Sequence, residues 1–348
     1  MIPAKGDDHL RFLAKVLLIA AIIVLFFDAT IIHDLTRTFD RLIVEQNFSG
    51  EEQEIPSIPL TEPEKEPFAI ATIEPGMTKF TVEEKFGPAQ RITFNEYDTY
   101  WYAYHENYQN FFLVTYDKKD RVAGLYTNQD LLSSIYGIEL GTQRDVLRKQ
   151  LGTPLEGLEK GLYFYYLPED RNYDLYLIEG NYVTFFYDEQ DHGTVRAVQI
   201  IAENLENTRV DMYSEPSVER MIGFEEQLFD LTNAERKKFG LPLLKPADDV
   251  KQTAREHSQD MAINHYFSHT NLQGQSPFDR MDEDQITYRT AGENLAYGQW
   301  SAIFAHEGLM SSPGHRENIL HRDFEYLGIG VAFNDQNEPF FTQLFYGH

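Results

Sequence analysis

The longest apolar run of the chain lies near its N-terminus. Residues 16–27 are twelve apolar residues in succession, and residues 12–32 are interrupted only by one lysine, one aspartate and one threonine. A helix needs about 20 largely apolar residues to span a bilayer. We predict an uncleaved signal anchor over residues 1–33 with the N-terminus inside, because no small-x-small cleavage site follows the run. A cleaved signal peptide and a buried core helix are the alternatives.

The next segment is polar and rich in proline. Residues 49–67 contain six glutamates and four prolines. This composition cannot bury a core, so we expect an extended, self-repelling tether over residues 34–69.

A duplicated pattern of aromatic and polar positions occupies residues 70–205. Gly76 and Gly87 recur as Gly141 and Gly152, with an offset of 65 residues in both cases. Each copy continues into runs of Tyr, Phe and Val that are typical of strands: 100–104, 111–117 and 121–126, then 162–166, 182–188 and 195–200. We therefore predict two copies of a short helix followed by an antiparallel meander. The tyrosines form either a packed core or a sugar-stacking surface, and the region is interpreted as a binding or spacing module.

Helical periodicity begins after a polar linker at residues 206–221. Phe224, Leu228 and Leu231 share one face of a predicted helix that Gly240 ends, and a second helix is predicted over residues 247–264. His257 lies on the inner face of that second helix, as core histidines do. Two strand patterns, 327–333 and 340–346, end the chain and predict an α/β sandwich over residues 222–348.

Composition excludes several classes of function. The chain has 348 residues, enough for two domains, and a formal net charge of −26, which disfavours nucleic-acid binding. It contains no cysteine, so disulfides, thiolate zinc sites and a cysteine nucleophile are excluded. The metalloprotease, serine-hydrolase and phosphate-binding loop motifs are also missing from the sequence.

The candidate chemistry lies in three short pieces of the C-terminal region. Residues 266–269, 292–296 and 312–320 each place a histidine or a carboxylate among glycine, proline and small polar residues. Such positions usually lie at element ends, where side chains converge on a cleft. His269, Glu293 and His315 are therefore the candidate site residues.

The same motifs resemble those of the CAP superfamily (cysteine-rich secretory, antigen 5, pathogenesis-related 1), in its cysteine-free bacterial branch. The matching segments occur in the family's order: 231–243, 254–262, 266–270, 292–294, 312–316 and 342–343. The resemblance implies a three-layer α-β-α sandwich over residues 222–348. Residues 70–205 resemble the CAP-associated N-terminal module, so the predicted fold class is α+β.

The resemblance also suggests how the site is composed. In many CAP proteins two histidines and two glutamates line a cavity, which in some members binds a divalent metal. His269, Glu293 and His315 match three of the four, with His269 and His315 as the suggested metal ligands. Ser312 stands where the second glutamate would be.

Two functions fit these expectations. The first is a membrane-tethered binding protein of the cell envelope, single-pass, with its folded domains outside and a cell-wall or other envelope component as partner. The alternative is a hydrolase of an envelope peptide or ester, using Zn²⁺ to activate water or Glu293 as base with a histidine as acid. A purely structural hydrogen-bonded network is the third interpretation. Lipid or sterol binding follows from the resemblance alone.

Overall fold

Two repeated meanders join into one seven-stranded antiparallel sheet. The computed structural model describes residues 55–348. Its first eleven strands are β1 Phe68–Ile70, β2 Arg91–Phe94, β3 Tyr100–Glu106, β4 Gln109–Tyr116, β5 Val122–Thr127, β6 Leu132–Ser134, β7 Gly157–Lys160, β8 Tyr163–Tyr166, β9 Tyr173–Ile178, β10 Asn181–Asp188 and β11 Thr194–Ala202. The sheet order is β2-β3-β4-β5-β11-β10-β9, and the two copies meet where β5 pairs with β11. The predicted duplication is therefore present.

One short helix precedes each meander. Helix α1 spans Lys79–Phe86 and α2 spans Arg144–Leu151. They end at Gly87 and Gly152, whose φ angles of 75° and 86° favour glycine. Both helices bury one apolar residue against the same face of the sheet, together with strands β1 and β6.

One predicted strand has a different partner from the one expected. Residues 162–166 were expected to open the second meander, but β8 pairs only with β7 in a separate hairpin, and β9 takes the first position beside β10. Aromatic composition identifies a strand without identifying its neighbour, because pairing depends on which residues reach a buried face. Tyr173 and Leu175 of β9 are buried, whereas Tyr163 and Tyr166 of β8 are exposed.

The C-terminal part interleaves helices with a four-stranded sheet. Its elements are α3 Glu203–Glu206, α4 Val218–Lys238, β12 Lys245–Pro246, α5 Asp248–Asn264, α6 Pro277–Glu283, β13 Thr290–Tyr297, α7 Ala302–Ser311, α8 Pro313–Ile319, β14 Tyr326–Phe333 and β15 Pro339–Gly347. The sheet order is β12-β14-β15-β13. The predicted second helix and the C-terminal hairpin are confirmed within one or two residues.

Strand β14 shows how this sheet lies between two helices. Leu327, Ile329 and Val331 share a core with Phe224 and Leu228 of α4. The alternate positions are glycines that approach α5 closely: a Cβ added to Gly330 would lie 2.2 Å from the backbone of Ala254. Because successive residues of a strand point to opposite faces, α4 and α5 cover opposite sides, as in an α-β-α sandwich.

Helix α4 also packs against the seven-stranded sheet. Trp101 and Phe111 of that sheet belong to the same buried cluster as Phe224 and Leu228. Phe304 of α7 lies with its ring centroid 5.0 Å from that of Phe186. Residues 57–348 consequently form one unit in which α4 and α7 lie between two sheets.

The predicted anchor at residues 1–33 and most of the tether at 34–69 lie outside the described residues. Over residues 55–348 we find no helix with the length and apolar character needed to span a membrane.

Candidate functional site

Glu293 is the buried centre of the candidate site. It lies within β13, where pairing with Leu344 of β15 fixes its backbone, and its side chain is 1% exposed. Its Oε1 lies 2.8 Å from Nδ1 of His269, whose side chain is 53% exposed. A carboxylate accepts hydrogen bonds, so Nδ1 donates and the neutral ring carries its lone pair on Nε2. Glu293 therefore orients an imidazole at the protein surface.

Arg280 completes the support of this pair. Its Nη2 donates to Glu293 Oε2 at 2.6 Å, and its Nη1 donates to the backbone oxygen of His269 at 2.9 Å. The guanidinium compensates the buried carboxylate and also holds the loop that carries His269. Sequence reasoning missed Arg280. A buried carboxylate needs a buried cation. Arg280 and Arg289 are the only basic residues between the motif at 266–269 and the motif at 292–296, so the sequence did offer a signal.

His315 lies in the first part of α8 beside the pair. Burial lowers the pKa of His315, and the nearby His269 lowers it further. The structure thus brings His269 into contact with Glu293 and places His315 within electrostatic reach of His269. Ser312 precedes α8 with Pro313 at the first helical position, but the Ser312 side chain makes no capping hydrogen bond.

A buried amide network surrounds the site on its inner side. The Asn294 side chain donates to the backbone oxygen of His315 at 3.0 Å and to Gln343 Oε1 at 3.1 Å. Gln343 in turn donates to Thr232 of α4 at 2.9 Å, and Asn318 donates to Asn294 Oδ1 at 2.9 Å. These bonds link β13, β15, α4 and α8. The amide side chains of Asn294, Asn318 and Gln343 therefore position the two helices around the sheet.

The donor set as observed does not fit a divalent cation. Both oxygens of Glu293 are engaged, and the Arg280 charge lies 2.6 Å from one of them. Within the described part of the chain, no group of three or more His, Asp or Glu side chains is arranged to hold a metal ion. Metal binding by His269 and His315 stays a prediction.

Family models match two neighbouring parts of the chain. A CAP-associated N-terminal model matches residues 76–211, and the cysteine-rich secretory protein family (CAP) model matches residues 229–345. The chain belongs to the CAP superfamily. We call residues 76–211 the CAP-associated domain and residues 229–345 the CAP domain. The candidate site lies wholly in the CAP domain.

Two relatives from Bacillus subtilis are similar to part of the chain. The uncharacterized protein YkwD is 37% identical over 157 residues, which are 45% of this chain and 58% of YkwD. The uncharacterized membrane protein YlbC is 39% identical over 121 residues, 35% of this chain and 34% of YlbC. The match therefore spans less than two thirds of either relative.

Two solved structures share the fold over most of the chain. An extracellular protein containing an SCP domain from Bacillus anthracis aligns with a TM-score of 0.67 and 23% identity, covering 86% of this chain and all of that one. A cysteine-rich secretory protein from Staphylococcus aureus aligns with a TM-score of 0.62 and 18% identity. That alignment covers 82% of this chain and 95% of the Staphylococcus aureus chain. Both alignments are long enough to include the CAP-associated domain and the CAP domain, so the mixed α+β fold is common to these proteins.

Proposed function

We propose that this CAP protein is a membrane-tethered binding protein of the cell envelope, and that the site at His269, Glu293 and His315 receives its ligand. One observation carries the proposal: buried Glu293, held by Arg280, orients the half-exposed imidazole of His269 beside His315. A site whose supporting groups are already in place loses little entropy on binding.

The ligand is expected to be polar. A neutral His269 offers an acceptor at Nε2, and a protonated one offers a donor. A wall glycan or a peptide of the envelope carries hydroxyl and amide groups that match both. The apolar run and acidic tether of the sequence support a location outside the cytoplasmic membrane. Such a location also agrees with YlbC being a membrane protein and the Bacillus anthracis protein being extracellular.

Binding to purified envelope fragments tests the proposal. We expect the full-length chain to co-sediment with them, and His269→Ala or Glu293→Gln to reduce the bound fraction at least about fivefold, which corresponds to roughly 1 kcal/mol. His265→Asn is the matched control, because His265 is exposed, is four residues away and has a φ of 52°, which asparagine tolerates. Equal sedimentation of the three variants and the wild type would refute a ligand role for this site.

The location needs a separate measurement. We expect the full-length chain to remain in the membrane pellet after alkaline extraction, and protease added to intact cells to remove residues 55–348. Release of the chain by alkali would contradict the anchor. It would leave the proposed ligand role of the site at His269 unaffected.

A hydrolase is the second candidate, and the 2.8 Å bond between His269 and Glu293 favours it. In many hydrolases a carboxylate orients the imidazole that acts as the general base. His269 Nε2 would take a proton from water, and Glu293 would stabilise the resulting imidazolium. This assignment differs from Glu293 acting as the base, because Arg280 and His269 already engage its two oxygens.

A panel of ester and peptide substrates tests the hydrolase. General-base catalysis contributes about 10²–10⁴ in rate, so His269→Ala should lose a factor of that order while His265→Asn retains full activity. Hydrolysis that survives His269→Ala, or that is missing across the panel, would remove this candidate.

A further inference from the structure

A cavity lies between helices α5 and α6 and the loop before α6. Its volume is about 270 Å³, and its lining includes His257 and Arg280 but not His269, Glu293 or His315. That volume suits a small ligand or a single side chain. The cavity is therefore separate from the site of the proposed function.

Four carboxylates line this cavity, and each is bonded only to neutral donors. They are Glu256, Asp260, Glu283 and Asp284. Their donors are the side chains of Gln252, Asn264, Tyr266, Gln275 and Thr253. None of the four carboxylates forms an ion pair within residues 55–348. Arg280, the basic residue of the lining, is paired with Glu293 instead. The cavity therefore carries an uncompensated negative charge.

His257 adds an independent observation on the same wall. It is 1% exposed, and its Nε2 lies 3.0 Å from the backbone oxygen of Ser268. A carbonyl oxygen only accepts, so Nε2 donates and Nδ1 of the neutral ring is left as an acceptor. Nδ1 has no hydrogen-bond partner in the described part of the protein. Burial lowers the pKa of His257 and the charge of Arg280 lowers it further, while Glu293 acts in the opposite direction.

We propose that this cavity binds a primary ammonium group on a flexible chain, as in a lysine side chain of a peptide. An ammonium supplies positive charge for the four carboxylates and N–H donors for an acceptor such as His257 Nδ1. A flexible chain suits a cavity whose lining includes exposed Glu256 and Glu283. An inorganic cation fits less well, since no three His, Asp or Glu side chains of residues 55–348 are arranged around one point.

Titration calorimetry of the full-length chain in detergent tests the proposal. The probe is Nα-acetyl-lysine amide, and the comparison compound is the same molecule acetylated at Nε, which lacks the charge. We expect the first to bind and the second to lose binding at least about tenfold, or roughly 1.4 kcal/mol. Tighter binding of 1,4-diaminobutane would assign the site to a free diamine instead of a peptide side chain and would still support an ammonium site.

Variants locate the binding. We expect Glu256→Gln and Glu283→Gln each to weaken binding about threefold, and the double variant about tenfold, as exposed ion pairs do. Asp282→Asn is the control, because it removes one carboxylate from the same helix α6 at an exposed position outside the cavity. Equal affinity for the two lysine compounds, or an unchanged affinity in the double variant, would overturn the proposal. Neither result bears on the site at His269, because the ligand role of that site is tested separately by envelope sedimentation.

Discussion

The hydroxyl of Tyr126 in the CAP-associated domain donates a hydrogen bond of 2.6 Å to the carboxylate of Glu307 in the CAP domain. The other carboxylate oxygen of Glu307 is paired with Arg196, which also lies 3.0 Å from Glu235. All four side chains are buried. Burial alone would raise the pKa of Glu235, but Arg196 and His306 outweigh it and hold that pKa below its ordinary value. The two domains are therefore joined by a buried ionic network within a shared core.

Glu307→Ala should destabilise the protein strongly. Removing one partner of a buried ion pair typically costs about 3–5 kcal/mol. Here the change removes one of the two carboxylates that pair with Arg196 and also the acceptor of the Tyr126 hydroxyl. We expect a loss of that size in the free energy of unfolding, measured by denaturant titration. Glu317→Ala on α8 is the control, because Glu317 is exposed and such changes usually stay within about 0.5 kcal/mol. A loss below about 1 kcal/mol for Glu307→Ala would show that the network contributes little to stability.

Glu96 should make the stability fall as the pH rises towards neutrality. It is 1% exposed, and Trp101 donates a long hydrogen bond of 3.4 Å to its carboxylate. Burial raises the pKa of Glu96 from 4.5 to about 7. Between these two values the unfolded chain releases the proton while the folded protein retains it, so the free energy of unfolding decreases with pH and levels off above about 7.

Glu96→Gln tests that dependence. We expect the variant to be more stable than the wild type at pH 8 by on the order of 3 kcal/mol, and to differ little at pH 4.5. The measurement is the difference in unfolding free energy between the two proteins across this range. Glu106→Gln removes a charge at an exposed position and serves as the control. A difference for Glu96→Gln that does not change with pH would contradict the assignment.

Gly330→Ala should damage the CAP domain through a backbone collision. Its Cβ would lie 2.2 Å from backbone atoms of Ala254 and Arg255, so α5 would have to move away from β14. Overpacking of this kind costs about 3 kcal/mol or more when the obstacle cannot shift. Gly308→Ala is the matched control: an added Cβ meets nothing within 4 Å, and alanine in a helix gains up to about 1 kcal/mol. Thermal unfolding of both variants should give shifts of opposite sign.

Zinc titration tests the metal role that the sequence suggested for His269 and His315. Because Arg280 neutralises Glu293, we expect weak binding that His269→Ala leaves unchanged. One tightly bound zinc per chain, lost in both His269→Ala and His315→Ala, would instead support the metal-ligand prediction and would require Glu293 to leave Arg280.

Local features of the fold could be predicted from the sequence alone. The helix at Asp248–Asn264, the C-terminal hairpin and the duplicated helix–meander unit follow from periodicity, turn residues and glycines, which act over a few residues. The motifs also predicted that His269, Glu293 and His315 converge, and His269 does contact Glu293. The anchor at residues 1–33 is a prediction of the same local kind.

Only the tertiary structure decided which distant residues meet. The pairing of β5 with β11, the burial of α4 between two sheets and the exclusion of β8 from the large sheet depend on competition for buried surface across the whole chain. The contacts of Arg280 with Glu293 and of Tyr126 with Glu307 were likewise decided only by the tertiary structure. A buried carboxylate requires a cation or a donor, but periodicity does not say which one, because that choice is made by side chains far apart in sequence.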